Sequence, residues 1–221
     1  MKQAFIIISA LLLLASAGAR AQVTADAGYV YSMLFDYGDG SRADSQGFFA
    51  GAAYSYGALP YGLAIGTGMY YYHIGGKGTA FPYIMNDPVC DIVHKFGKNS
   101  HEEHYLAVPL SAGINVPFGG AIGLHASLGP VFTCCLDSRS YSFWADDLGA
   151  EVERNVSYLS PESNFAEYSR FDILAGGRLG VDLFGRLRLH IGAYYGLLDR
   201  SGYANKNLHT LNMQAGLSYL F

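Results

Sequence analysis

The closing stretch, Leu208 to Phe221, constrains the chain most. From Leu211 every second residue is apolar: Leu211, Met213, Ala215, Leu217, Tyr219 and Phe221. Between them and before them stand Thr210, Asn212, Gln214, Gly216, Ser218 and Leu220. A period of two belongs to a strand with two unlike faces, and here it runs to the last, aromatic residue. A strand ending on a bare terminus frays unless something holds it. The expectation is a closing strand zipped to the first strand of the chain.

Seven further strands can be read upstream: Val23 to Phe35, Gly47 to Tyr56, Tyr61 to Ile74, His104 to Asn115, Gly120 to Cys134, Ser169 to Leu183 and Leu187 to Leu198. Between them, long polar segments (Asp36 to Gln46, Gly75 to Glu103, Cys135 to Tyr168, Asp199 to Asn207) alternate with tight turns at Gly57-Ala58-Leu59-Pro60, Val116-Pro117-Phe118-Gly119 and Phe184-Gly185-Arg186. In an up-and-down barrel the two sets fall at opposite ends. Short periplasmic turns, long extracellular loops and an even strand count are the pattern of outer-membrane barrels.

Period two alone does not say which face is buried, because a soluble barrel alternates too. Charge decides it. One face of the last two complete hairpin strands reads Phe171, Ile173, Ala175, Leu179, Val181, Leu183 and Leu187, Leu189, Ile191, Ala193, Tyr195. The other carries Asp172, Arg178, Asp182, Arg188 and His190. Arg facing lipid costs about 2–4 kcal/mol near the bilayer midplane, so the charged face points inward. With Leu183 opposite Leu187, Asp182 meets Arg188, Gly180 meets His190, Arg178 meets Gly192 and Gly176 meets Tyr194. Large residues then face glycines, as the narrow lumen of an eight-stranded barrel requires. Asp172, Arg178, Asp182, Arg188, His190, Asn212 and Gln214 are the expected interior polar network. Tyr61, Phe118, Phe184, Tyr219 and Phe221 near the turns, and Tyr31, Phe35, Tyr71 and Tyr195 near the loops, suit two interfacial girdles.

The N-terminus fits export. Lys2, an apolar run from Ala4 to Ala17 and Ala19-Arg20-Ala21 read as a signal peptide, residues 1–21, cleaved to leave one domain, residues 22–221. That run is too short to span a bilayer as a helix. The chain is 51% hydrophobic and 14% charged, with 28 glycines and 18 tyrosines, which suits a strand protein. Loss of Lys2 and Arg20 with the leader takes the formal net charge from −4 to −6, and no basic run exists, which excludes a nucleic-acid partner. Cys90, Cys134 and Cys135 are read as free thiols, with a bridge from Cys90 to the pair as the alternative.

Tyr105-Leu106-Ala107-Val108-Pro109-Leu110, Gly129-Pro130-Val131, Phe171-Asp172, Gly177 to Asp182, Tyr194-Tyr195-Gly196-Leu197 and Gly216 to Phe221 resemble the paired strands of the PorT-like outer-membrane β-barrel proteins of Gram-negative bacteria. Val131 departs from the aromatic of that pattern. The resemblance covers about half of the chain. It implies the fold, an outer-membrane location and an assembly-signal role for Tyr219 and Phe221, and it supplies no catalytic residue.

The densest ligand-like stretch is Asp87, Cys90, Asp91, His94, His101, Glu102, Glu103 and His104. Cys90, His94, His101 and His104 carry the donor types of transition-metal sites. Their spacing is not the helical His-Glu-x-x-His pattern, and the adopted reading is a solvated loop with no metal. The acidic residues of 135–168 match no calcium loop, and that segment's Trp144, Tyr141, Phe143, Tyr158 and Phe165 suit contact with a partner. Neither a cofactor nor an activated nucleophile can be assigned.

The expectation is therefore an all-β, eight-stranded antiparallel up-and-down transmembrane barrel in the bacterial outer membrane. It is a non-enzymatic monomer in contact with outer-membrane lipid and inserted by the barrel-assembly machinery. Its role is structural, or is interaction with an extracellular protein or ligand through loops 75–103 and 135–168. A narrow porin-like channel is the first alternative, and a lipid-modifying enzyme the second.

Overall fold

The computed structural model describes residues 21–37, 42–57, 63–77, 95–118, 121–145, 151–157, 169–200 and 207–221. Residues 1–20, where all but the last residue of the expected leader falls, Tyr61 and most of the connecting segments therefore lie outside the described residues. Among the described residues nine strands follow one another: β1 Ala21–Asp36, β2 Arg42–Tyr56, β3 Leu63–Lys77, β4 Lys95–Phe118, β5 Ile122–Ala145, β6 Glu151–Ser157, β7 Phe171–Leu183, β8 Leu187–Gly196 and β9 Leu208–Leu220. Every pairing is antiparallel. Eight of the strands close on themselves in the order β1-β2-β3-β4-β5-β7-β8-β9, and β6 pairs with β5 alone. The fold is an eight-stranded up-and-down barrel.

Closure is made by the strand that ends the chain. β9 pairs with β1 from Thr24↔Leu220 to Asp36↔Leu208, and the Phe221 amide donates to the Val23 carbonyl at 3.0 Å. On its other side β9 pairs with β8, so both edges of the terminal strand are satisfied. The β7–β8 register follows from its hairpin, with Leu183↔Leu187, Asp182↔Arg188, Gly180↔His190, Arg178↔Gly192 and Gly176↔Tyr194. Phe184 and Gly185 turn it with φ of 53° and 68°, and the Arg186 amide donates to the Leu183 carbonyl at 3.2 Å. Glycine takes this left-handed conformation freely, whereas phenylalanine does so at some strain.

Three expectations about connections need correction. The Asp36 to Gln46 loop is short, because β2 starts at Arg42. The polar segments 75–103 and 135–168 are strand for much of their length: β3 runs to Lys77, β4 begins at Lys95, and β5 continues to Ala145. β6 was not foreseen. These stretches lack apolar alternation because they extend beyond the band where alternation is needed, and their strand character comes from neighbours in the ladder. β7 reaches only Cys134↔Phe171 on β5, so β5 beyond that point would present a bare edge on that side. β6 covers it from Arg139↔Ser157 to Ala145↔Glu151.

The barrel is inside-out in polarity. On β4 the outward positions Phe118, Val116, Ile114, Ala112, Leu110, Val108 and Leu106 are all apolar, and the next, His104, is not. At ~3.3 Å per residue and a strand tilt of ~40°, that run is about 30 Å tall, close to a bilayer's hydrocarbon core. Leu128, Leu179, Ile191, Ile65 and Met69 lie more than half exposed on the same outer surface. Asp26, Asp172, Arg188, His190, Gln214 and Ser218 are buried within. No aqueous protein gains from this arrangement, whereas hydrocarbon outside and a closed ladder satisfy it.

Candidate functional site

Two charged layers fill the lumen. In the half nearer the hairpin turns, Arg178 of β7 reaches across to β1 and β3. Its Nη1 donates to Asp26 Oδ2 at 3.2 Å and to the Tyr70 hydroxyl at 3.2 Å, and the Tyr70 hydroxyl in turn donates to Asp26. The guanidinium lies 4.8 Å from the Tyr70 ring centroid and 5.8 Å from that of Phe49, so it is held by charge and by two π faces. Below it, Arg188 grips Asp182 with two bonds of 2.5 and 3.0 Å and donates to Asn115 Oδ1 at 3.3 Å, which also bonds His125 at 2.6 Å. His190 is buried with its ring 6.0 Å from Phe49.

In the loop-side half, Arg200 and Glu103 pair at 3.5 Å. Tyr105 and Ser138 also donate to the Glu103 carboxylate, and Arg200 sits 5.3 Å from the Tyr105 ring. Asp172 accepts from the Ile173 and Leu198 amides at 2.7 and 3.3 Å, tying the start of β7 to the segment after β8. Gln214 accepts from Tyr72 at 3.2 Å, and Asn212 lines the small cavity above it.

Between the two layers stand Phe49, Tyr70, Tyr72 and Tyr194, with Phe49 stacked on Tyr72 at 5.6 Å. They divide the lumen into a cavity of about 30 Å³ on the loop side and one of about 90 Å³ on the turn side. Both have room for water, for which about 10–15 Å³ suffices, but neither is a channel. An open vestibule of about 510 Å³, lined by Gln22, Ser55, Asn115, Asp182 and Phe221, faces out at the turn end.

The interior residues named from the sequence thus lie on the lumen side, but most of their partners were not named. Asp26 and Tyr70 meet Arg178, and Asn115 meets Arg188, across the barrel, where sequence proximity gives no hint, and His125 on Asn115 and the Glu103–Arg200 pair complete the two layers. The inward phase of β1 and β3 could have found Asp26 and Tyr70. Tyr219 and Phe221 are on the outer surface at the turn end, their rings edge-to-face at 4.9 Å.

The metal-ligand candidates come apart. Cys90 and His94 lie outside the described residues, as does the side chain of His101. His104 faces outward and joins two residues of its own rim, Glu102 and His73 of β3, directly opposite it in the ladder. The sequence could not reveal this trio, because the register between β3 and β4 passes through residues 78–94. Because 102–104 is strand rather than loop, Glu102 and His104 share a face, and Glu103 points into the lumen.

No protein-family model matches the chain, and no curated protein matches it. Several solved structures share its general architecture. Ail, the attachment invasion locus protein of Yersinia pestis, is 13% identical with a TM-score of 0.46 over 91% of this chain and 99% of that one. Neisserial surface protein A is 14% identical with a TM-score of 0.44, covering 91% and 97%. The outer membrane protein OprG from Pseudomonas aeruginosa is 14% identical with a TM-score of 0.43, covering 92% and 97%.

Proposed function

We propose that this chain is a non-enzymatic protein of the bacterial outer membrane that acts through its loop end, by contact with an extracellular protein or ligand. The observation that carries this reading is the contrast between the two parts of the barrel. Its lumen is crossed by paired charges and a four-ring aromatic layer, so it offers a solute no path among the described residues. Beyond the apolar band, by contrast, β4 and β5 continue as a paired hairpin from His104↔Asp137 to Lys95↔Ala145, far more strand than closing a barrel needs. Extra structure invested above the rim points to a surface that is presented.

The hairpin-turn end is assigned to the periplasm and the loop end to the exterior, as in other barrels of this kind. The motifs shared with PorT-like proteins support the same location. Tyr219 and Phe221 are assigned to recognition by the assembly machinery.

Planar-bilayer recordings of the refolded protein test the closed lumen. No step above leak is expected, and reproducible unitary steps would replace this reading with that of a narrow channel. Affinity capture with the intact barrel, against one shortened within 78–103 and 137–168, tests the presented surface. Partners retained by the shortened barrel would refute the role of the loop end.

A further inference from the structure

We infer that His73, Glu102 and His104 form a site for one zinc-class divalent cation on the outer wall of the barrel, at the foot of the segment joining β3 and β4. The three donor atoms all lie within 4.8 Å of one another. Glu102 Oε1 stands 3.5 Å from His73 Nδ1 and 3.6 Å from His104 Nε2. A charge-assisted hydrogen bond would draw such pairs to about 2.7–2.9 Å. Donors sharing a tetrahedral Zn²⁺ with bonds of about 2.0–2.1 Å stand instead about 3.3–3.5 Å apart. The carboxylate is therefore spaced from both imidazoles as a co-ligand rather than as a hydrogen-bond partner.

The surroundings supply what a metal site needs beyond its ligands. Tyr71 bonds His104 Nδ1 at 2.5 Å, and the other nitrogen, Nε2, is the one that faces Glu102. Metal binding selects the tautomer in which Nδ1–H donates to the tyrosine oxygen and the Nε2 lone pair is free, the usual outer-shell device for a ligating histidine. Phe48 packs 5.2 Å from the His73 ring, and the two imidazoles are 4.8 Å apart. Strand pairing His73↔His104 fixes both main chains, so the ligands are placed by ladder geometry rather than by a loop. The site lies just above the last apolar outward residue of β4, Leu106, next to the Arg139–Asp137 pair at 2.8 Å, where water can reach it. Two imidazoles and one carboxylate leave a fourth position open to water or to a donor from outside. This donor set favours zinc, copper or nickel over magnesium and calcium. A bound ion would pin β3 to β4 where the 78–94 segment leaves them, and so stiffen the surface proposed to meet a partner.

The test uses the full mature chain refolded in detergent, with Co²⁺ as a spectroscopic probe and Zn²⁺ in competition with a chromophoric chelator. One Zn²⁺ per barrel is expected, with an intense visible Co²⁺ absorption that Zn²⁺ abolishes and a large excess of Ca²⁺ or Mg²⁺ does not. H73A and H104A should abolish binding, and Y71F should weaken it by about 10–100-fold, the usual effect of removing an outer-shell partner. Heat-modifiable gel mobility shows that each variant still folds, and His209→Gln, a histidine at the same rim outside the trio, should bind like the parent. Binding that survives H73A but is lost in H94A or H101A would overturn the assignment, as would stoichiometric binding displaced by Ca²⁺ or no binding at all.

Discussion

At the scale of single residues, the lumen is held by contacts that each cross the barrel. Arg178 has Asp26 as its charge partner, so Arg178→Ala strands a buried carboxylate. A broken buried pair costs about 3–5 kcal/mol, and the adjoining cavity, which lets water reach Asp26, places the loss near the low end. Urea unfolding in detergent should show this drop for R178A, and a smaller loss for the double variant D26L/R178M than for the two single changes added together. Glycines make room for the large lumen residues. A Cβ on Gly216 would meet Phe49 Cζ at 2.7 Å, Ala27 O at 2.8 Å and His190 Cε1 at 2.9 Å, and because one of these is backbone the crowding is not relieved by a rotamer change. Gly216→Val should cost about 1–3 kcal/mol in the same assay, as overpacking does. That glycines face large side chains was legible in the sequence wherever a three-residue turn fixed the register, as for Gly180 and His190. Asp26, Glu103 and Arg200 were not legible as partners, because contacts across a lumen depend on closure of the whole ring.

At the scale of elements, legibility followed the lipid. Strands inside the apolar band alternate in hydrophobicity and can be read, and so can their two faces. Above the band the sequence of β4 and β5 no longer alternates in hydrophobicity, although the ladder continues from His104↔Asp137 to Lys95↔Ala145. β6 exists to cover an edge, and nothing in Glu151-Val152-Glu153-Arg154-Asn155-Val156-Ser157 announces that without β5 beside it. Removing residues 146–157 should leave the eight-stranded barrel folded, with unchanged heat-modifiable mobility, because β6 pairs with β5 alone, beyond the residues through which β5 pairs with β7. It should also bare the β5 edge, and light scattering should then show self-association in detergent. A shortened protein that stays monodisperse would mean that another part of the chain covers that edge.

At the scale of the whole molecule, a single question organises the rest: which solvent bathes the outer wall. Leu128 lies midway along the apolar run of β5 and is 70% exposed, whereas Phe118 lies at the turn-end margin of β4 and is 55% exposed. Both project outward and neither packs the core, so in water either could become arginine at almost no cost to stability. In a bilayer the two differ by depth. Leu128→Arg should cost about 2–4 kcal/mol near the midplane, and Phe118→Arg about 0–1 kcal/mol at the interface, where the side chain can snorkel. Urea unfolding of barrels folded into phospholipid vesicles measures both. A steep difference with depth is expected in vesicles and should shrink in short-chain detergent, which deforms around a buried charge. Equal, negligible losses at the two positions would mean that the apolar wall faces something other than lipid, and the closing strand from Leu208 to Leu220 would then seal a barrel of a different kind.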